Sequence, residues 1–313
     1  MKRITIILGV LLVLLLVIKL KDRKQGDRSF KEFIVEVDTA KVDNIKIHMK
    51  SGGDILELTK ENAAWMMKID GKKVQADEGT IYDLLSQVHQ LKPKQVVATS
   101  KDKWATYEVG DSLGSRVEIR SGKKNLADFV IGKFSYSQPQ GQNPQMQQRQ
   151  NIIMTSYVRN SDEDHVFAVD GYLSMMFNRD SKSFRNNTLI SGNPKSWNKL
   201  VYTYPDSSFT LVKQNEKWMA DGILADSAKV ATYLSQISKL SNTEFDDESI
   251  MNDKQKSTYS VRIEGDNFKP IEINGLQNNM GEIVYKSSQN KGNLFKSDNI
   301  KDALFVNKEH FMN

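Results

Sequence analysis

No cysteine occurs in the 313 residues. Disulfides, thiolate metal centres and cysteine nucleophiles are therefore excluded, although the compartment is not. Histidine is scarce as well. His48, His89, His165 and His310 lie in unrelated stretches, and no two have the spacing of a metal-binding pair. Glycine-rich signatures are missing: there is no G-x-x-x-x-G-K-[ST], no G-x-G-x-x-G and no G-x-S-x-G. P-loop nucleotide hydrolysis, the Rossmann fingerprint and the serine-hydrolase elbow are thus unsupported. The acidic clusters Asp162-Glu163-Asp164 and Asp246-Asp247-Glu248 lack the alternating ligands and central glycine of a calcium loop, and read as charged turns. No catalytic, cofactor-binding or metal-binding residue is expected, and the chain reads as non-enzymatic with no cofactor. Only two carboxylates meeting across a cleft would make it a hydrolase, and the sequence names no such pair.

Excess charge is missing from most of the chain. The formal net charge of +5 comes entirely from Lys2, Arg3, Lys19, Lys21, Arg23, Lys24 and Arg28, set against Asp22 and Asp27. The remainder is balanced, so no net field draws in nucleic acid.

One long apolar run exists, Ile4 to Ile18, interrupted only by Thr5 and Gly9. As a helix it reaches about 22–26 Å, slightly short of a ~30 Å hydrocarbon core. Lys19 and Lys21 can snorkel to close the difference. The run ends in Ile18-Lys19-Leu20-Lys21, without the small residues of a cleavage site, so an uncleaved single-pass anchor is expected over a cleaved signal peptide. The flanking lysines and arginines, counted alone, keep the large domain in the cytoplasm. A two-residue basic tail before an apolar run is also the plan of a bacterial export signal. The expectation is the inner membrane, with the large domain in the periplasm.

What is present in quantity is a repeat. Leu84-Leu85-Ser86-Gln87-Val88-His89-Gln90-Leu91 returns as Tyr233-Leu234-Ser235-Gln236-Ile237-Ser238-Lys239-Leu240. Ile81, Leu84, Leu85, Val88 and Leu91 in one copy, and Val230, Tyr233, Leu234, Ile237 and Leu240 in the other, place one apolar stripe on a helix. Ala76-Asp77 and Ala225-Asp226 precede them, the aspartates standing where an N-cap belongs. Trp65 and Trp218 follow short alternating runs ahead of each helix, with a loop four residues shorter in the second copy. Both tryptophans read as core anchors. Farther on, Tyr157, Phe167, Met176 and Phe177 answer to Tyr285, Phe295, Leu304 and Phe305. A period this long is domain duplication, not a solenoid.

The fold class is α+β: a duplicated unit of antiparallel strands with one amphipathic helix per copy, after a single transmembrane helix. The expected divisions are 1–28 for the anchor and basic flank, 29–192 for the first copy and 193–313 for the second. Residues 134–150, rich in Gln, Pro and Asn, are expected to form a long mobile loop of the first copy. Asp170 is expected to cap a short helix.

Trp65, Asp77, Leu84, Leu91, Trp218, Asp226, Leu234 and Leu240, with Gly132 closing a strand and Tyr157-Val158-Arg159 opening the next, make a pattern. It resembles the bacterial domain-of-unknown-function family numbered 4340, over nearly the whole chain after residue 30. Members are typically encoded beside ABC-transporter subunits of the gliding-motility type. The resemblance implies an extracytoplasmic accessory or structural component of an ABC-type transport system, with a permease or related envelope protein as partner. It supplies no catalytic residue. The alternative is a module that binds envelope polysaccharide or lipid in the cleft between the two copies.

Overall fold

The computed structural model describes residues 32–50, 55–137, 152–249 and 257–312. These residues are mixed α+β, mostly antiparallel sheet with few helices. No helix among the described residues is long and apolar enough to cross a membrane. The expected anchor, 1–28, and most of the expected loop, 134–150, lie outside the described residues.

In chain order, β1 (Val35–Glu36) and β2 (Asn44–His48) precede β3 (Ile55–Glu61), β4 (Ala64–Ile69), β5 (Lys72–Gln75) and helix α1 (Glu78–Val88). Then come β6 (Gln90–Leu91), β7 (Gln95–Ala98), α2 (Trp104–Tyr107), β8 (Ser115–Ser121), β9 (Lys124–Ser137), β10 (Ile153–Asn160), β11 (Val166–Asp170) and α3 (Leu173–Phe177). The second copy runs β12 (Trp197–Thr203), β13 (Ser208–Gln214), β14 (Lys217–Ala220), β15 (Ile223–Leu224), α4 (Ser227–Ile237), β16 (Tyr259–Gly265), β17 (Ile271–Gln277), β18 (Ile283–Ser287), β19 (Asn290–Phe295) and α5 (Asp298–Leu304). The turns repeat with the strands. Asn62-Ala63 and Asn215-Glu216 take positive φ between the first two strands of each meander, and Asp70-Gly71 and Asp221-Gly222 do so before the third. Such two-residue loops match the twist of the strands they join.

The chain divides into two compact units, Met1–Ile55 with Asp83–Arg179 and Leu56–Tyr82 with Asp180–Asn313. In the first unit the strands run β2-β8-β9-β10-β11-β7, each antiparallel to its neighbour. Ile45 faces Ile119, and Val117 faces Phe129, so one sheet face is aliphatic and aromatic. In the second unit an eight-stranded sheet runs β15-β14-β13-β12-β16-β17-β18-β19. Its core holds Trp197, Tyr202, Leu211, Leu234, Phe295 and Phe311, with Val230, Tyr233 and Ile237 of α4 buried among them. Each fully buried side chain of this size contributes roughly 1.5–3 kcal/mol relative to exposure.

The stripe leaves the helix before its last position. α1 ends at Val88 and α4 at Ile237, so Leu91 and Leu240 lie beyond them. The reason is a competing backbone partner. The Leu91 carbonyl accepts from Ile34 N at 2.8 Å; the Leu240 carbonyl accepts from Leu189 N and Ile190 N at 2.9 and 3.0 Å. Each copy therefore begins with an extended lead-in that ties down the end of its own helix. A closing device repeats as well. Asp77 N donates to the Phe184 carbonyl and Asp226 N to the Phe311 carbonyl, both at 2.8 Å.

Three further details differ from expectation. β9 continues through Ser137, because Phe134-Ser135-Tyr136-Ser137 still alternates and pairs with Ser156 through Ile153. Asp170 caps nothing: it ends β11 and pairs with Lys94 at 2.6 Å, while Ser156 Oγ accepts from Leu173 N at 2.9 Å to start α3. The closing helices also align one residue off the expected register. Leu173 and Phe177 are buried as Ile300 and Leu304 are.

Gly132 sits where only glycine fits. A Cβ there would collide with the Tyr107 carbonyl oxygen and lie 2.7 Å from Val109 Cγ1. Gly132→Ala is expected to cost about 1–3 kcal/mol through a forced backbone shift. A denaturant midpoint equal to that of the unaltered chain would refute this.

Candidate interaction surface

Every residue of the repeat signature serves the fold. Trp65 and Trp218 are 7% and 9% exposed on β4 and β14. Asp77 accepts from Thr80 N at 2.7 Å, and Asp226 from Ala228 N and Lys229 N at 2.8 and 3.1 Å. Those amides hold the Asp226 carboxyl below its ordinary range. Leu84, Leu91 and Leu234 are buried, and Leu240 packs half-buried against the core of the second unit. None of the signature positions forms a site with another; each closes a cap or fills a core.

Arg159, part of the sequence pattern without an assigned role, acquires one here. Its guanidinium is buried 3.7 Å over the Trp104 ring. Nε donates to the Val109 carbonyl, and Nη1 to the carbonyls of Asn160 and Ser161, each at 3.1 Å. Asp111, the carboxylate it reaches, is itself exposed. Burial lowers the Arg159 pKa without discharging it. The side chain pins the loops on either side of it.

Two carboxylates do face each other. Glu118 on β8 lies directly opposite Asp128 on β9. Glu118 Oε1 meets His48 Nε2 at 2.8 Å, and Arg120 also bonds it. Arg116 grips Asp128 with two bonds of 2.9 and 2.6 Å. Burial pushes both carboxyls up, but these partners outweigh it and hold both below their usual range. A hydrolytic pair needs one carboxyl raised as the acid. This pair is ionised twice over and acts as a polar ladder on the sheet. No group of three or more His, Asp or Glu poised for a metal occurs among the described residues.

The remaining candidate is apolar and exposed. Met154 on β10 faces Tyr136 on β9. The Phe134 ring lies 6.5 Å from that of Tyr136, on the same strand face by alternation. Helix α3 covers this face only as far as Ser156, whose hydroxyl donates to the Gly171 carbonyl. Beyond it, Tyr136, Ile152, Met154, Tyr172 and Met175 are all exposed. Gly171 N donates to the Met154 carbonyl at 2.9 Å, which brings the start of α3 alongside. Scattered exposed hydrophobics mean little, but a group gathered at one end of a sheet is a candidate interaction surface. Methionine and tyrosine suit such a role, the one adaptable and the other amphipathic. The sequence hid this surface because Phe134 and Tyr136 border a Gln-rich stretch.

Residues 150–262 match the family model described as Domain of unknown function (DUF4340). The matched stretch includes Tyr157-Val158-Arg159, Trp218 and Asp226. No curated protein and no solved structure matches the chain.

Proposed function

We propose that this chain, a protein of the DUF4340 family by its residues 150–262, is a membrane-anchored extracytoplasmic accessory component of an ABC-type transport system. It works by binding and positioning a permease or related envelope protein. The observation that carries this reading is the separation of roles among its residues. The family signature is spent on caps and cores, while a group of exposed apolar side chains gathers where β9 ends and β10 begins. The apolar run at Ile4–Ile18 supplies the anchor, and the balanced charge of the rest fits a protein partner better than nucleic acid. The alternative, a module that binds envelope polysaccharide or lipid, calls for an exposed Trp65 or Trp218 or for an apolar groove between the copies; both tryptophans are buried, which leaves it the groove alone.

The test joins topology to partner capture. A reporter active only outside the cytoplasm is fused after Asn313, and the complex is purified in mild detergent. The expected result is an active reporter and co-purified transporter subunits. Replacing Tyr136 and Met154 together with serine is expected to reduce recovery about tenfold or more, since two exposed apolar side chains lose their burial against the partner. An inactive reporter, or a purified chain without transporter subunits, would overturn the proposal.

A further inference from the structure

Tyr285 on β18 is 2% exposed, and its ring lies 6.0 Å from that of Phe305. Its hydroxyl makes no hydrogen bond among the described residues, although every side-chain polar atom sealed from solvent there has a partner. The hydroxyl is therefore the point at which an otherwise buried ring meets the solvent. Tyr157, which answers to it in the first copy, is placed differently, with its hydroxyl 3.4 Å from Ser135 Oγ. Buried polar groups are normally matched by a partner. Tyr285 lines a hollow of about 460 Å³ in the second unit, and its hydroxyl is turned into that space. The volume falls within the ordinary range of small-molecule sites, roughly 300–1,000 Å³.

Five charged side chains surround the same hollow: Glu244, Glu282 and Asp298 against Lys296 and Lys301. None of them makes an ion pair among the described residues. Their places are fixed by the fold. Lys296 N donates to the Glu244 carbonyl at 2.9 Å, and Asn278 Oδ1 accepts from Glu282 N at 2.8 Å. Asp298 opens α5, and Lys301 Nζ lies 5.3 Å over the Tyr259 ring. Charged side chains alone would make a solvated rim. Here acids and bases share one hollow without pairing, above a buried hydroxyl that has no partner. That arrangement suits a ligand that bonds to both signs at once. Ile283 is the only aliphatic side chain in the lining among the described residues, too little to hold a lipid tail.

We propose that this hollow binds an amino sugar. The carboxylates accept from the ammonium and hydroxyls of the sugar, the lysines donate to its oxygens, and the Tyr285 hydroxyl donates from the floor. Three carboxylates against two ammonium groups leave one negative charge, which a single ligand ammonium balances. Burial above all, with Asp298 nearby, pushes Tyr285 up to about 12, so the phenol remains a donor at neutral pH. The site is separate from the Tyr136 and Met154 surface and does not depend on the partner being a transporter.

The probe is D-glucosamine, titrated into the full chain in mild detergent at slightly acid pH, where its amine is protonated. Isoleucine methyls and tyrosine rings are labelled for NMR. Saturable shifts are expected at Ile283 and Tyr285. N-acetylglucosamine keeps the hydroxyls and loses the charge; ethanolamine keeps the charge and loses the ring. Each is expected to bind about tenfold more weakly or worse. Tyr285→Phe removes only the unpartnered hydroxyl, so Tm is expected to hold at neutral pH while affinity falls about three- to tenfold. Asp298→Asn, at an exposed position, is expected to weaken binding by a similar factor. A glucosamine trimer that binds more tightly than the monomer would place the sugar in a chain, and equal affinity would assign the free sugar. Three results would overturn the proposal: no shift at either residue with tens of millimolar glucosamine, ethanolamine or N-acetylglucosamine binding as tightly as glucosamine, or an affinity that neither Tyr285→Phe nor Asp298→Asn changes.

Discussion

Arg185→Ala is expected to remove about 3–5 kcal/mol of stability, because it empties a buried site, strands the fully buried Asn293 and takes the cation from the partly buried Asp247. The Arg185 guanidinium lies 3.7 Å over the Phe245 ring, with the residue 3% exposed. Nε donates to Asn293 Oδ1 at 2.8 Å and Nη1 to Asp247 Oδ1 at 2.7 Å. Asn293 passes the connection to the Gln75 carbonyl, and the Asp247 carbonyl accepts from Lys72 Nζ. One cation therefore joins β19, the acidic turn and β5 within the second unit. Surface pairs such as Arg262 with Glu264 and Glu272 contribute little by comparison, since water already solvates them. Lysine is not expected to rescue the loss, because a point charge neither stacks on Phe245 nor forks between two acceptors. The stability change corresponds to a fall in Tm of roughly 6–20 °C. Circular dichroism of the full chain in mild detergent measures it. Hydrogen exchange should accelerate at β5 and β19 before global unfolding. A Tm unchanged within about 2 °C would show that the network adds nothing net, as replacement of buried ion pairs sometimes does.

The same residue marks how far the sequence could be read. The repeat was legible because both copies must solve identical problems: Asp77 and Asp226 cap, Trp65 and Trp218 anchor, and the stripe faces a sheet. These are local requirements, written at fixed spacing. Arg185 was not legible, since its partners Asn293 and Asp247 are distant in sequence and its counterpart by alignment on Phe184 and Phe311 is Met312. A contact made once leaves no periodic trace. The end of α1 was misjudged for a related reason. Leu91 fits the helical stripe, yet a backbone partner at Ile34 claims its carbonyl. Sequence spacing reports which side chains are buried more faithfully than it reports the secondary structure that buries them. The exposed group at Tyr136, Met154, Tyr172 and Met175 draws on three elements, so no window along the chain contains it.

The second unit is expected to unfold steeply in alkali. Tyr202 OH donates to Tyr233 OH at 2.8 Å, and Tyr233 OH donates to the Leu304 carbonyl at 2.7 Å, a relay from β12 through α4 to α5. Burial pushes both phenols well above their ordinary value of 10.0 and pushes Tyr285 up to about 12. The sign follows from proton counting. Near pH 10 the unfolded chain begins to release these protons while the folded chain keeps them, so the unfolded state binds fewer. The stabilisation is complete below pH 10 and is lost as the pH climbs toward the folded-state values. Each such tyrosine removes about 1.4 kcal/mol per pH unit, so the three together remove roughly 4. Two pH units would consume roughly 8 kcal/mol, comparable to the whole stability of an ordinary domain. Tyrosinate absorbance and far-ultraviolet circular dichroism, followed together from pH 9 upward, provide the measurement. Ionisation of the buried phenols should coincide with loss of sheet in one steep step, and Tyr285→Phe should reduce the steepness by about a third. If all the phenols instead titrated gradually around pH 10 with the sheet signal intact, the hydroxyls of Tyr202 and Tyr233 would have to be reached by water in the folded chain. The relay that joins α4 to α5 would then not be closed.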